Sequence, residues 1–405
     1  MNIILINHYA GSNYHGMEFR PYYLAREWVR MGHDVTIVAA SFSHLRQKNL
    51  KIRNKKEEVI DGIRYVWLPV SEYEGNTIKR FVNMLQFIRQ LYKNINFFVK
   101  LSPDVVIASS TYPLDVYPAH KLADKVKAKF VFELHDLWPL SPRLLGGMSK
   151  YHPFIVLMQM AEDYWCKHAD KVVSVLPKAK QYLITRGLDE SKFFYIPNGI
   201  VLSDVQYIEP LFLQYKEIIQ KLRKDKFLIG YAGGHAVSNA LDILIDAALN
   251  LKENSSIHFV LLGNGNEKEK LQRICREQNL DNVTFLDSIP KNMVPDFLLN
   301  MDCLYIGWKK HPLYKYGISP NKLMDYMMAG KPIIHSVSAG NDLVKEANCG
   351  ISVEAEDVAG IVEAIQYLQS MPAEKRIQLG MNGKKFVMKN HDYKVLAEKF
   401  IECIR

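Results

Sequence analysis

The sequence predicts an α/β chain of two doubly wound parallel-sheet domains, on three observations. Its 405 residues exceed one ordinary core and suit two domains of roughly 200 residues each. Short, apolar, β-rich runs alternate with helical stretches, the pattern of a parallel sheet and its crossovers. That alternation lapses once, after Asn198-Gly199, and begins again at Phe227.

The first domain, residues 1–200, opens with the apolar run NIILIN, a Gly-containing loop from His8 to Gly16 and the helical stretch FRPYYLAREWVRMG. Strand, loop and helix are the opening unit of a Rossmann-like fold. Gly32 stops the helix; DVTIVAA, IRYVWLPV, DVVIASS, KFVFELHD, KVVSVLP and FFYIPNG supply later strands. Residues 201–225 are mixed and charged and read as an interdomain connection. In the second domain, residues 226–390, the strands are FLIGYAGG, IHFVLLGNG, VTFLDSI, CLYIGW, KPIIHSV and GISVE. Helices begin between them at about Asn239, Glu267, Val294, Pro320 and Asp357. Residues 391–405 form a last helix, expected to pack back on the first domain.

Composition narrows the class. With 48% hydrophobic and 23% charged residues, the chain fills large cores and has no disordered character. Five scattered cysteines without a CxxC pair suggest neither a disulfide framework nor a zinc site, and a reducing cytoplasmic home. The start, MNIILINHYAG, has no basic leader and reads as a buried strand. No apolar run approaches the roughly 20 residues of a membrane span, so the expectation is a cytoplasmic protein, soluble or peripheral on the inner face of the membrane.

A net charge of +9 favours acidic partners. Nucleic acid is not expected among them, since zinc-finger spacing, the ribonucleoprotein aromatic motif and long Lys/Arg tracts are missing from the sequence. Residues 77–100 place Phe81, Met84, Leu85, Ile88, Leu91 and Tyr92 at helical spacing among Lys79, Arg80, Arg89 and Lys93. Such a basic amphipathic helix either packs on the sheet with a solvated cationic face or meets an anionic membrane surface.

The most informative stretch is YGISPNKLMDYMMAGKP, Tyr316 to Pro332. Ser319 is a good N-cap, Pro320 suits the first helical position, and Gly330 and Pro332 supply a stop. The amino terminus of that helix is an anion site, because its amides are unpaired and the dipole is positive there. Lys322 adds a full charge in the first turn. Asp325, four residues after Asn321, shares that side and suits two ribose hydroxyls. A diphosphate and its ribose are thus expected on one helix. Gly233 and Gly234 make a glycine turn after the first strand of the second domain, followed by His235 and Asn239, and Gly263 and Gly265 make another. In the first domain His135 and Asp136 follow a strand end, where open α/β sheets bind ligands.

The pattern S-P-x-K-x-x-[DE]-Y-M-x-A-G-K-P in a second Rossmann-like domain resembles the retaining GT-B glycosyltransferases of family four. The opening HYAGSNYHGMEFRPYYLAREW resembles, within that family, enzymes of bacterial surface-polysaccharide synthesis, O-antigen and capsule enzymes of the fucosamine-transferring kind. The resemblance spans nearly the whole chain and implies two domains facing each other across a cleft. It implies a nucleotide-sugar donor, UDP-linked and an N-acetylated amino sugar, and a polyprenyl-diphosphate-linked saccharide acceptor.

Site roles follow from that resemblance. Asp325 matches the second acid of an acid-x7-acid pair that binds ribose; Gly317 stands where the first belongs. The turn GYAGGHAVSNALDIL lacks the usual Arg and Lys, so the glycine amides, Lys322 and Lys309 are expected to neutralise the diphosphate. Gly233, Gly234, His235, Asn239, Gly263, Gly265, Lys309, Ser319, Pro320, Asn321, Lys322 and Asp325 form the expected donor set. Gly11, Ser12, Gly16, Glu18 and Arg20 face the acceptor, with Arg20 a phosphate clamp. His135, Asp136 and Lys322 are the expected catalytic residues. The leaving diphosphate takes the acceptor's proton while the helix end and Lys322 stabilise it. No cofactor is expected and no metal is required, since helix-end electrostatics replace the cation. A sugar-nucleotide epimerase of the same fold and an inactive nucleotide-sugar-binding scaffold are the alternatives.

Overall fold

The computed structural model describes residues 1–16, 19–75, 78–203 and 207–405. The chain divides into two compact units, Met1–Asn198 with Tyr393–Arg405, and Gly199–Asp392.

The sheet of the first unit holds β1 (Asn2–Ile6), β2 (Asp34–Ala40), β3 (Lys56–Ile60), β4 (Ile63–Leu68), β5 (Val105–Ala108), β6 (Lys129–Leu134), β7 (Lys171–Ser174) and β8 (Phe193–Tyr195). Their order is β3-β4-β2-β1-β5-β6-β7-β8. The central strands read as continuous β-branched and aliphatic runs because both faces are buried; Ile3, Ile4, Leu5, Val106 and Ile107 have no exposed surface. The helices are α1 (Phe19–Arg30), α2 (Ile78–Lys93), α3 (Ile95–Lys100), α4 (Val116–Val126), α5 (Leu140–Leu144), α6 (Pro153–His168) and α7 (Lys180–Thr185).

Two features of this unit differ from the sequence reading. The antiparallel strand β3, paired with β4, falls in a charged stretch that carries no apolar signal. Asp61 and Gly62 between the two strands both take positive φ, 50° and 79°, the conformation a two-residue hairpin requires. Charged residues suit β3 because it is the sheet edge and blunts further pairing. Residues 78–100 form two helices, α2 and α3, broken at Asn94. The buried stripe of α2 is Asn83, Met84, Phe87 and Leu91, whereas Leu85 and Tyr92 are exposed.

The sheet of the second unit holds β9 (Phe227–Ala232), β10 (Ile257–Leu262), β11 (Val283–Leu286), β12 (Cys303–Gly307), β13 (Ile333–Ser336) and β14 (Gly350–Val353), in the order β11-β10-β9-β12-β13-β14. Alternate side chains fill two cores, one with Leu228, Val260 and Leu304, the other with Ile229, Phe259 and Tyr305, as the two-residue period of a strand dictates. The helices are α8 (Leu213–Arg223), α9 (Leu241–Asn250), α10 (Lys268–Glu277), α11 (Val294–Leu299), α12 (Asn321–Met328), α13 (Leu343–Glu346), α14 (Val358–Ser370) and α15 (Ala373–Asn390). The stretch read as a connection carries α8, and Leu211 and Ile219 are buried in the core of this unit. The last helix, Tyr393–Ile404, packs in the first unit on α1, with the Trp28 and Phe400 rings 5.1 Å apart.

Strand order reverses between β1 and β5 in one unit and between β9 and β12 in the other. Ligands of open α/β sheets bind beyond the carboxyl ends of the strands at such switch points; the Gly233-Gly234 turn follows β9 and His135 follows β6.

Candidate active site

In the second unit, α12 is shorter by one residue at its start than the sequence suggests. Its N-cap is Pro320, extended at φ −77° and ψ 125°, and no side chain caps it. Ser319 therefore precedes the cap instead of filling it. The amides of Asn321 and Lys322 open α12 at the positive end of its dipole.

The Lys322 ammonium donates to Asn239 Oδ1 at 2.7 Å and Tyr231 Oη at 3.1 Å, and lies 5.0 Å from the Tyr231 ring centroid. No carboxylate among the described residues pairs with it, Asp325 included. Burial alone pulls its pKa from 10.5 down to about 8. Asn239 Nδ2 and the Tyr231 hydroxyl in turn donate to the Gly234 carbonyl at 2.8 and 2.7 Å. The cation is thus fixed beside the glycine turn; a Cβ built on Gly233 would lie 3.3 Å from Lys322 Nζ. Tyr326 fixes the helix itself, its hydroxyl accepting from the Ala232 amide at 2.7 Å and donating to the Ala232 carbonyl at 3.1 Å.

The two glycine turns pack backbone against backbone. A Cβ on Gly263 would fall 1.9 Å from the Gly233 carbonyl oxygen, and one on Gly265 2.3 Å from that of His235. Gly263→Ala is therefore expected to destabilise the protein by about 2 kcal/mol or more through overpacking, measured by urea unfolding. Lys268 ties the same loops, its ammonium reaching the carbonyls of Gly263 at 2.9 Å and Leu286 at 3.2 Å and the Asp287 carboxylate at 2.6 Å.

One expected donor contact is committed elsewhere. Lys309 sits between Asp242 at 2.7 Å and Glu356 at 3.1 Å, so its charge is already neutralised. The His235 ring is fully buried, near the rings of Tyr231 and Phe285. Burial, then the charges of Lys268 and Lys322, push its pKa to about 4, so it stays neutral and offers an N–H rather than a charge; neither ring nitrogen has a hydrogen-bond partner among the described residues. Asp325 lines a depression of about 440 Å³ with Leu202, Pro295, Leu299 and Met328. Burial holds its carboxyl above the usual range, opposed by Lys291.

In the first unit, His135 follows β6 and its Nε2 is 2.9 Å from Ser109 Oγ and 3.3 Å from Glu133 Oε2. Ser109 also donates to Glu133 at 2.6 Å and is met by Asn7 Nδ2 at 3.2 Å. The other Glu133 oxygen accepts from Arg20 Nε at 2.9 Å. Burial would raise the Glu133 pKa, but the Arg20 charge and the bonds from His135 and Ser109 outweigh it and bring it to about 2. A chain of Arg20, Glu133 and His135 thus fixes the imidazole.

This arrangement corrects Arg20 as an acceptor clamp. It is buried, and beyond Glu133 its guanidinium donates to the carbonyls of Pro197 at 2.5 Å and Ile196 at 3.0 Å. Asp136 is likewise committed to its own loop, accepting from the Leu137 amide at 2.8 Å, the Trp138 indole at 3.2 Å and the Ser141 hydroxyl at 2.5 Å. Gly11, Ser12 and Gly16 take part in the packing of their own loop. The Gly11 carbonyl accepts from the Tyr65 hydroxyl at 2.8 Å, buried Ser12 binds His15 Nδ1 at 3.0 Å, and a Cβ at Gly16, φ 73°, would meet Gln47 at 2.9 Å. Glu18 lies outside the described residues.

Sequence reasoning missed Glu133, Ser109, Tyr231 and Lys268. One signal was present: Glu133 stands between Phe132 and Leu134 in an otherwise apolar strand, and a carboxylate there requires a buried partner.

Comparison with known proteins bears on the family and the fold. Residues 14–204 match the family described as Glycosyltransferase Family 4, and residues 226–370 match Glycosyl transferases group 1. The chain is 22% identical to the glycosyl transferase WcaI of Escherichia coli (strain K12), named for colanic acid biosynthesis, over 94% of each chain. Its fold resembles a sucrose-phosphate synthase from Thermosynechococcus elongatus, with TM-score 0.72, 16% identity and coverage of 99% and 97%. It also resembles Anabaena HepE in complex with UDP, with TM-score 0.69, 12% identity and 99% of both chains covered.

Proposed function

We propose that the chain is a glycosyltransferase of the GT-B fold, a reading its similarities support, and that it moves a sugar, with retention at the anomeric carbon, from a UDP-linked donor to a lipid-linked saccharide in bacterial polysaccharide biosynthesis. The donor sugar is an N-acetylated amino sugar of the hexose type. One observation carries the reading: the Lys322 ammonium has no carboxylate partner among the described residues and stands in the first turn of a helix with no side-chain cap, beside the Gly233-Gly234 turn. A diphosphate supplies the missing negative charge. The relatives named for colanic acid synthesis and solved with UDP support the donor and pathway.

In this mechanism the leaving diphosphate accepts the proton of the incoming hydroxyl on the same face of the sugar. Charge growing on the bridging oxygen is stabilised by Lys322 and the amides of Asn321 and Lys322. His135, held by Glu133, orients the sugar. No metal is required, because the helix end and the ammonium supply the positive charge. The work is done on the cytoplasmic side, with the protein peripheral on the inner membrane face. Exposed Ile78, Val82, Leu85 and Tyr92 on α2, among Lys79, Arg89 and Lys93, support that placement.

The test is a thermal-shift screen with UDP, GDP and their sugars, followed by transfer to lipid-linked acceptors with the product anomer assigned by NMR. Conversion of the donor in the absence of any acceptor would instead indicate an epimerase. Asp325→Ala is expected to weaken UDP by about 10- to 100-fold, the loss of one or two charge-assisted bonds to ribose. Equal affinity of wild type and variant, measured by calorimetry, removes Asp325 from the site.

A further inference from the structure

Beside His135 the first unit contains a cavity of about 840 Å³, within the size range of small-molecule sites, that the reaction above does not use. Phe81 and Met84 of α2 form one wall, Trp138, Leu145 and Met148 around α5 a second, and Phe154 and Leu157 of α6 a third. The few polar groups at its lining are mostly satisfied from within. Asp136 and Ser141 bond to each other at 2.5 Å, and His152 accepts from the Phe154 amide at 3.2 Å. A saccharide needs convergent donors and acceptors, and this surface does not provide them. An aliphatic chain needs only the apolar lining.

Charge identifies what that chain is attached to. Residues 78–103 and 137–161, which supply every lining residue except Asp136, contain no Asp or Glu. They carry Lys79, Arg80, Arg89, Lys93, Lys100, Arg143 and Lys150. Large apolar side chains stand exposed on the same elements, Ile78 at 83% and Leu145 at 55%. An apolar cavity that Arg80 lines, and whose one lining carboxylate, Asp136, is tied to Leu137, Trp138 and Ser141, complements an amphiphile with an aliphatic tail and a phosphate head. Asp136 places the cavity one residue along the chain from His135.

We propose that this cavity holds the proximal isoprenoid units of the acceptor's polyprenyl diphosphate, with the cations of α2 and the α5–α6 segment on its phosphates. The assignment rests on the transferase reading, but its test needs no donor and no turnover.

Trp138 lines the cavity and is its reporter. Titration of the full chain with farnesyl diphosphate is expected to change tryptophan fluorescence saturably, and Trp138→Phe is expected to abolish most of that change. Inorganic diphosphate at equal concentration is expected to give none. Leu157→Trp in a Trp138→Phe background, which fills the space, and Leu145→Glu, which sets a carboxylate at an exposed lining position, are each expected to weaken farnesyl diphosphate at least ten-fold, the former read by calorimetry. Leu145→Glu keeps the test decisive if the filled variant fails to fold. Unchanged affinity in a folded variant overturns the proposal. So does a Trp138 response to phospholipid vesicles with none to farnesyl diphosphate, which gives the cavity to membrane acyl chains, or a response that tracks dimerisation in sedimentation, which gives it to a second copy. Wild-type protein that binds UDP but no farnesyl diphosphate defeats only this assignment, whereas wild-type protein that binds farnesyl diphosphate but no UDP defeats only the donor site.

Discussion

Lys322→Met is expected to lower kcat/KM for sugar transfer by about 100- to 1,000-fold, the size seen when one preorganised donor to a developing oxyanion is removed. The same substitution is expected to stabilise the ligand-free protein. Burial depresses the lysine from 10.5 to about 8, so below pH 8 the fold holds a charged ammonium at a cost of roughly 3 kcal/mol. The sign follows from proton counts. Between about pH 8 and 10.5 the unfolded chain keeps the proton that the folded chain has released, so wild-type stability rises with pH across that window. Lys322→Met removes that slope. Affinity for UDP runs the other way, falling as pH rises through about 8, because only the ammonium attracts the diphosphate. Urea unfolding at several pH values together with UDP titrations checks both, and a ligand-free variant less stable than wild type at pH 7 contradicts the assignment. Such opposition between stability and function is the usual mark of a binding site.

The helix that presents Lys322 was legible in the sequence because its signals are local. Pro320 at the start and Gly330 at the end each act within one turn, and Gly330 does take φ 65°. The alternation of strands and helices was legible for a related reason, since strand and helix periods differ and each βαβ unit closes locally. What surrounds Lys322 was not legible. Tyr231 reads as one more strand aromatic, and only the packing of α12 against β9 turns its hydroxyl toward a lysine 91 positions away. Lys309 shows the opposite failure. A lysine after a strand end suggests a phosphate ligand, and the carboxylates that neutralise it, Asp242 and Glu356, come from distant segments. The edge strand β3 escaped notice because an edge is selected for charge, which erases the alternation by which strands are found.

Glu133→Ala is expected to cost about 3–5 kcal/mol of stability, since it leaves a buried guanidinium without its counter-charge. The cost of removing the carboxylate exceeds what the pair contributes over an apolar substitute. Arg20→Met combined with Glu133→Leu is therefore expected to recover much of the loss, and a double-mutant cycle reads the difference. The pH window is set by the depressed carboxylate. With a folded pKa of about 2 against an ordinary 4.5, its contribution is complete above about pH 4.5 and is lost as pH falls toward 2. Recovery of stability in the double variant should not bring back activity. Glu133 and Ser109 are the contacts that fix His135 Nε2, and an apolar pair removes the charged one and leaves Ser109 alone to hold the imidazole. A stable double variant with kcat reduced at least ten-fold and unchanged UDP affinity is the expected result. Full activity in that variant would make the Arg20–Glu133 pair a matter of folding alone and detach it from the chemistry at His135.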